Sequence, residues 1–263
     1  FFDFHTPSTA VEVAEDFDAE AWADQLVKAH VQGVSTTVQC GYGWRYYRKG
    51  QIGWVHPKLP HNLDIVGETI NACQKRGIHV IGYYATLNSE MLIATRPEWS
   101  SRDALGQQLG RSICLLSPAL EEYMLPQLEE FTRNYEIDGM FFDGTYATGP
   151  CFCESCRKKF REDTGLEEPL DSESPYWRRF VEWKLERLKE VRQKICDAVH
   201  NGRSDVLVSF NWVYSTRQPE KPPKDVGFLS IDIFPNNQVF NASMQARFWA
   251  TMNKPFDIMN SAQ

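Results

Sequence analysis

The densest chemistry in this sequence is Cys151-Phe-Cys-Glu-Ser-Cys156, a C-x-C-x-x-C run that places three thiols within six residues. Tetrahedral zinc takes four thiolates, and closely spaced cysteines supply three of them from one loop. The fourth must come from elsewhere: Cys114 precedes the segment that leads into the same region, and Cys40, Cys73 and Cys196 compete with it. Two of these competitors lie on apolar helical faces and read as core. A four-thiolate site is closed, so it staples a loop and performs no catalysis. A redox or metal-delivery site is the weaker reading of the same thiols.

Two carboxylates form the second signal. Asp143 ends GMFFDG and Asp232 lies in LSIDIFP, both at the ends of hydrophobic, strand-like runs. A carboxylate there is costly to bury unless it is solvated or paired, so its presence hints at work done. Two facing carboxylates are the minimum apparatus of glycoside hydrolysis. Around them stand candidates for holding a sugar: His5, Tyr84, Asn211, Trp212 and Asn260 at strand ends, and Trp44 in an aromatic loop with Tyr46, Tyr47 and Trp54. Of Asn211 and Trp212, only one can point inward. The aromatic loop equally suits plain packing onto a rim.

The elements that must position these residues alternate regularly. Strand-like runs cover 1–5, 35–40, 79–85, 139–144, 206–212, 228–234 and 255–260. Between them lie helical patterns. Asp18 caps the first, with Trp22, Leu26 and Ala29 on one face. Leu63, Val66, Ile70 and Cys73 mark the second, and Ser117-Pro118 opens a third in which Pro126 predicts a kink. A long helix over 175–200 should turn Trp177, Val181, Leu188, Ile195 and Val199 inward, and another covers 242–252.

Such alternation predicts βαβ units and a parallel sheet, as an open doubly wound sheet or a closed (β/α)8 barrel. No Gly-x-Gly-x-x-Gly precedes the first helix, so the dinucleotide-binding version loses its support. The strand ends would converge on one barrel mouth, which favours the α/β (TIM) barrel. We therefore expect residues 1–263 to be a single barrel domain, trimmed at its start and lacking the eighth βα unit at its end.

Composition narrows the partners. The 263 residues are 42% hydrophobic and 24% charged, which excludes disorder and fibrous classes. Net charge is −7 with no Lys/Arg-rich run, so no nucleic-acid partner is expected. No apolar stretch reaches membrane-spanning length, so a soluble chain without a membrane partner is expected. Eight Trp, ten Tyr and sixteen Phe suit stacking against sugar rings, which points to a carbohydrate substrate.

At these residues the sequence resembles known families. SICLLSPALEEYM, DGMFFDG and CFCESCRKKF resemble the clustered-cysteine region of glycoside hydrolase family 42 β-galactosidases. That resemblance implies a structural zinc held by Cys114, Cys151, Cys153 and Cys156, and an oligomer formed through regions outside this chain. LSIDIFP and KPFDIMNSAQ are similar to later strands of the same family, but Phe142-Asp143 stands where it carries Asn-Glu, and Asn260 where it carries its nucleophilic Glu. An amide cannot form a glycosyl ester. FDAEAW, RGIHVIGYYA and FFDG look like α-L-fucosidase-type barrels, and that likeness makes Asp143 the nucleophile of a retaining hydrolase. HPKLPHNLDIVGETINACQKRGIHVIGYYA, RPEWSSRDALGQ and the cysteine loop resemble the "hypothetical glycosyl hydrolase" barrels related to both. Asp232 is then the leading acid/base. A catalytically inactive, carbohydrate-binding barrel is the alternative.

Overall fold

The computed structural model describes residues 5–145, 149–212, 220–233 and 238–260, with the side chains of 238 and 260 left aside. The strand expected over 1–5 thus lies outside the described residues except for His5. In chain order, α1 (Ala19–Lys28) leads into β1 (Gly33–Gln39), which is followed by the two-residue strands β2 (Trp44–Arg45) and β3 (Trp54–Val55). Next come α2 (Ile65–Gln74), β4 (His79–Ala85), α3 (Glu90–Thr95), and a hairpin of β5 (Ser100–Arg102) and β6 (Gln108–Ile113). A wide turn at Leu120–Met124 opens α4 (Leu125–Asn134), then β7 (Gly139–Asp143), α5 (Glu154–Thr164) and α6 (Trp177–Gly202). The described chain ends with β8 (Leu207–Phe210), β9 (Leu229–Ile233), α7 (Gln238–Ala250) and β10 (Phe256–Asn260).

The protein is α/β, and its sheet is mixed. Strands β1, β4, β7 and β8 pair parallel in that order, while β2 joins β1 antiparallel and extends the edge to β3. Strands β9 and β10 form a parallel pair, and a single parallel bridge from Asn211 to Ser230 links it to β8. Among the described residues the pairing does not close into a barrel.

Register sorts the strands into two faces. Tyr84 lies beside Phe142, and Phe142 beside Phe210; these large apolar residues face the helices and belong to the main core. On the other face Tyr83 pairs with Phe141, Phe141 with Ser209, and Ala85 with Asp143. This second face is smaller and more polar. Tyr83, Ala85 and Phe141 cluster there, with Ile81 and with Met259 of β10 packed against them.

Local chemistry explains the helix ends. Asp18 accepts from Ala21 N at 3.0 Å and Asp64 from Gly67 N at 2.9 Å, each a carboxylate N-cap. The expected kink at Pro126 takes another form: Pro126 sits in the first turn of α4, directly after the wide turn at Leu120–Met124. Without an N–H, proline fits a helix start, and the wide turn absorbs the mismatch. The inward face of α6 also differs from the 175–200 expectation. Phe180, Trp183, Val191, Arg192, Ile195, Cys196 and Val199 are buried, and Val181 is exposed. Stacking of Phe180 on Trp183 and the edge contact of each with Phe160 of α5 set the rotation of its first half.

Candidate active site and thiol cluster

Asp143 ends β7, where the chain turns through Gly144 at φ +98°, a conformation that favours glycine. A Cβ at Gly144 would lie 2.7 Å from Leu87 Cγ, so the turn needs glycine for space as well. The Asp143 carboxylate is gripped at both oxygens. Tyr83 Oη donates to Oδ2 at 2.8 Å, and Asn211 Nδ2 donates to Oδ1 at 2.9 Å. Its own carbonyl accepts from Thr86 N and Thr86 Oγ1 at 2.8 and 2.6 Å, which pins the backbone beneath the side chain.

Beyond Tyr83 lies His5, with Nε2 3.4 Å from Tyr83 Oη. Gly41 N–H donates to His5 Nδ1 at 2.7 Å, so a neutral ring carries its proton on Nε2, facing the tyrosine. Cys40 sits behind this ring. Burial alone would raise its thiol, but hydrogen bonds from His5 and Tyr46 bring it below the ordinary range.

Asp232 lies two residues beyond Ser230, whose backbone bridges to Asn211. It is half-buried, and its carboxyl is raised above the ordinary aspartate range, first by burial and then by the negative charge of Asp143. A hydrogen bond from Asn211 partly offsets that rise. The surroundings of the two carboxyl groups differ: Asp143 is held by two donors, whereas Asp232 is biased toward its protonated form.

The sequence-derived candidates separate accordingly. Asp143, Asp232, Asn211 and His5 converge. Trp212 does not join them: it is fully buried on the helix side, against Phe210 and Trp249. Tyr84 is likewise fully buried on that side, its hydroxyl donating to Gln127 Oε1 at 2.6 Å. Trp44 is buried edge-on to His56, and Tyr46 and Tyr47 are buried with it, so this loop packs as core and offers no platform. Asn260 stands opposite Ile233, while Met259 is the residue paired with Asp232. Tyr83 was missed, because a strand covered on both faces shows no alternation that separates it from Tyr84. A bulge between Thr37 and Gln39 turns Gln39 to the helix side, where it accepts from Tyr123 and Gln127.

Near the end of β7 the four cysteines come together. The sulphurs of Cys114, Cys151, Cys153 and Cys156 all lie within 4.8 Å of one another and all four residues are buried. Cys114 and Cys156 are 3.4 Å apart, far beyond the roughly 2.05 Å of a disulfide, and all four thiols are free. Zn–S bonds of about 2.3 Å in a tetrahedron put sulphurs about 3.8 Å apart, so the set fits a metal of that kind. Crowding lowers the Cys151 thiol through hydrogen bonds with Cys114, Cys153 and Cys156. Lys184 Nζ donates to Cys156 Sγ at 3.5 Å and supplies a positive charge beside the cluster. Cys114 follows β6, and Cys151 and Cys153 precede α5, so a bound ion would tie the hairpin to the connection that leaves Asp143. Phe152 N already donates to Arg102 O of that hairpin at 2.8 Å.

Residues 18–144 match the family described as Hypothetical glycosyl hydrolase 6. No curated protein matches the chain. Among solved structures it is similar to α-L-fucosidase isoenzyme 2 from Paenibacillus thiaminolyticus, at 24% identity and a TM-score of 0.69 over 80% of this chain and 31% of that one. It is also similar to the β-galactosidase from Bacillus circulans sp. alkalophilus, at 16% identity and a TM-score of 0.66 over 91% and 41% of the two chains. A third is the GH20 exo β-N-acetylglucosaminidase from Vibrio harveyi, at 12% identity and 0.57 over 91% and 38%. These likenesses show the α/β fold. The chain spans about a third to two fifths of the length of these proteins. Among the described residues no helix is long and apolar enough to cross a membrane.

Proposed function

We propose that this chain is the catalytic barrel of a retaining glycoside hydrolase. The observation that carries the reading is the unequal pair around Asn211. Asp143, held by Tyr83 and Asn211, serves as nucleophile, and Asp232, pushed toward its protonated form by burial and by Asp143, serves as acid and then base. Carboxyl groups whose surroundings drive them apart in this way divide the acid and nucleophile roles between them. In the first step Asp143 attacks the anomeric carbon while Asp232 gives its proton to the departing glycosidic oxygen. In the second, Asp232 takes a proton from water, which displaces Asp143 from the sugar. His5, with its Nε2 proton near Tyr83, binds a hydroxyl at the rim.

The barrel itself is part of the proposal. The polar inner face, the packing of Met259 of β10 against Tyr83 and Phe141, and the parallel order β1, β4, β7, β8 continued through one bridge to the parallel pair β9–β10 all suit a cylinder whose mouth holds Asp143 and Asp232. Cys114, Cys151, Cys153 and Cys156 would hold zinc, which with four thiolates acts as a structural staple. An α-L-fucoside is the first substrate to try, because Asp143 matches the nucleophile position of that family. One observation favours a second reading, a binding-only barrel: Asn260 ends β10, and no Glu ends any described parallel strand from β1 to β10.

The test is turnover of a panel of nitrophenyl glycosides, α-L-fucoside and β-galactoside included, by the full-length protein and by Asp143→Asn. Hydrolysis that disappears in the variant supports the proposal. Equal activity in both overturns the role of Asp143, and sugar binding without turnover points to the second reading.

A further inference from the structure

Arg192 lies in the middle of α6, and its side chain is only 1% exposed. Its Nε and Nη2 both donate to the carbonyl of Thr145, at 3.1 and 2.8 Å, and Nη1 meets the Glu220 carboxylate at 3.0 Å. The guanidinium lies over the Trp212 ring, 4.8 Å from its centroid. Thr145 is two residues past Asp143, and Trp212 immediately follows Asn211. One buried cation thus grips the chain just beyond each of the two strands that carry the site's closest pair.

We infer that Arg192 is a positioning residue that fixes the ends of β7 and β8 against each other and so sets the Asp143–Asn211 hydrogen bond; this rests on the glycosidase reading of that pair. Burying a guanidinium is costly unless it is paired, and a helix needing only to pack on Trp212 and Phe210 would do so with an aliphatic side chain. The planar fork is what the geometry uses: two donors on one carbonyl, a third on a carboxylate, and a flat face on an indole. A lysine ammonium has no equivalent fork or face.

The experiment compares wild type, Arg192→Lys and Arg192→Ala as full chains, the last with and without millimolar guanidinium chloride. Two quantities are read: kcat and KM on whichever glycoside the panel identifies, and the ¹³C carboxyl titration of Asp232 without sugar. Asn211 lowers the Asp232 carboxyl, so a displaced Asn211 must move that titration. We expect kcat to fall about 10- to 100-fold in both variants with KM little changed, as for misplacement at a distance. The Asp232 midpoint should shift in both, and guanidinium should return kcat and midpoint toward wild type in Arg192→Ala. If Arg192→Ala does not fold, Arg192→Lys alone decides by the same two readings. An unshifted Asp232 midpoint in a folded variant overturns the inference. Absence of turnover by wild type overturns the glycosidase reading alone, because the titration still reports on Arg192.

Discussion

Asn211 donates its side-chain amide to Asp143 Oδ1 at 2.9 Å, from the strand next to the one that carries the aspartate. Asp232, one strand further on, feels both side chains: Asp143 raises its carboxyl and Asn211 lowers it. The ends of β7, β8 and β9 thus bring two carboxyl groups and one neutral amide into one place.

Tyr83 and Tyr84 are expected to behave oppositely. Tyr83→Phe removes a hydrogen bond to a carboxylate, an interaction of about 1.5–3 kcal/mol, and should lower kcat roughly 10- to 100-fold. Tyr84→Phe removes only the bond to Gln127 and should cost about 1 kcal/mol of stability with kcat retained. Steady-state kinetics beside urea denaturation checks both. Equal loss of kcat in the two would show that the assignment of faces is wrong.

The raised carboxyl of Asp232 has a signed consequence for activity. As the acid, Asp232 must be protonated, so its titration sets the basic limb of the pH profile. Asn211→Leu removes a donor that favours the ionised form, and that limb should move to higher pH. Asp143→Asn removes a like charge, and the Asp232 midpoint followed by ¹³C NMR should fall.

Stability carries the same sign. The folded-state value for Asp232 lies above its unfolded value of about 3.8, so the ionised group disfavours the folded state. That penalty is absent below the unfolded value and grows as pH rises through the folded one. Asp232→Asn should therefore raise Tm at pH 7, and the gain should vanish near pH 3. Thermal melts at the two pH values check it; a lower Tm at pH 7 would contradict the burial argument.

For the thiol cluster we expect about one zinc per chain by elemental analysis. Chelation or Cys153→Ser should destabilise the connection after β7 and lower activity together with Tm, since a four-thiolate site has no open position for chemistry. Metal-free protein with unchanged melting and full activity would remove the staple from the account.

Much of this was legible in the sequence because it is local. The strand over 79–85 matches β4 residue for residue, and the Asp18 cap and the cysteine run follow from short-range pattern. The convergence of Asp143, Asp232 and Asn211 was legible from their shared place at the ends of strand-like runs. What failed was parity. A strand buried on both faces gives no alternating signal, so Tyr84 was taken for the mouth and Tyr83 overlooked. Trp44 was misplaced because an aromatic loop reads alike whether it lies open or folds onto the core. Arg192 left no signal at all: on a helix rich in Arg, Lys and Glu, only tertiary packing shows which arginine is buried.

The most direct test of the central claim is to trap the glycosyl-enzyme. The protein would be treated with an activated 2-deoxy-2-fluoro glycoside of the sugar that the panel identifies, then digested and sequenced by mass spectrometry. The account predicts one sugar per chain, esterified to Asp143 and absent from Asp143→Asn. A label on any other residue, or an active enzyme that acquires no label and releases the inverted anomer, would contradict it.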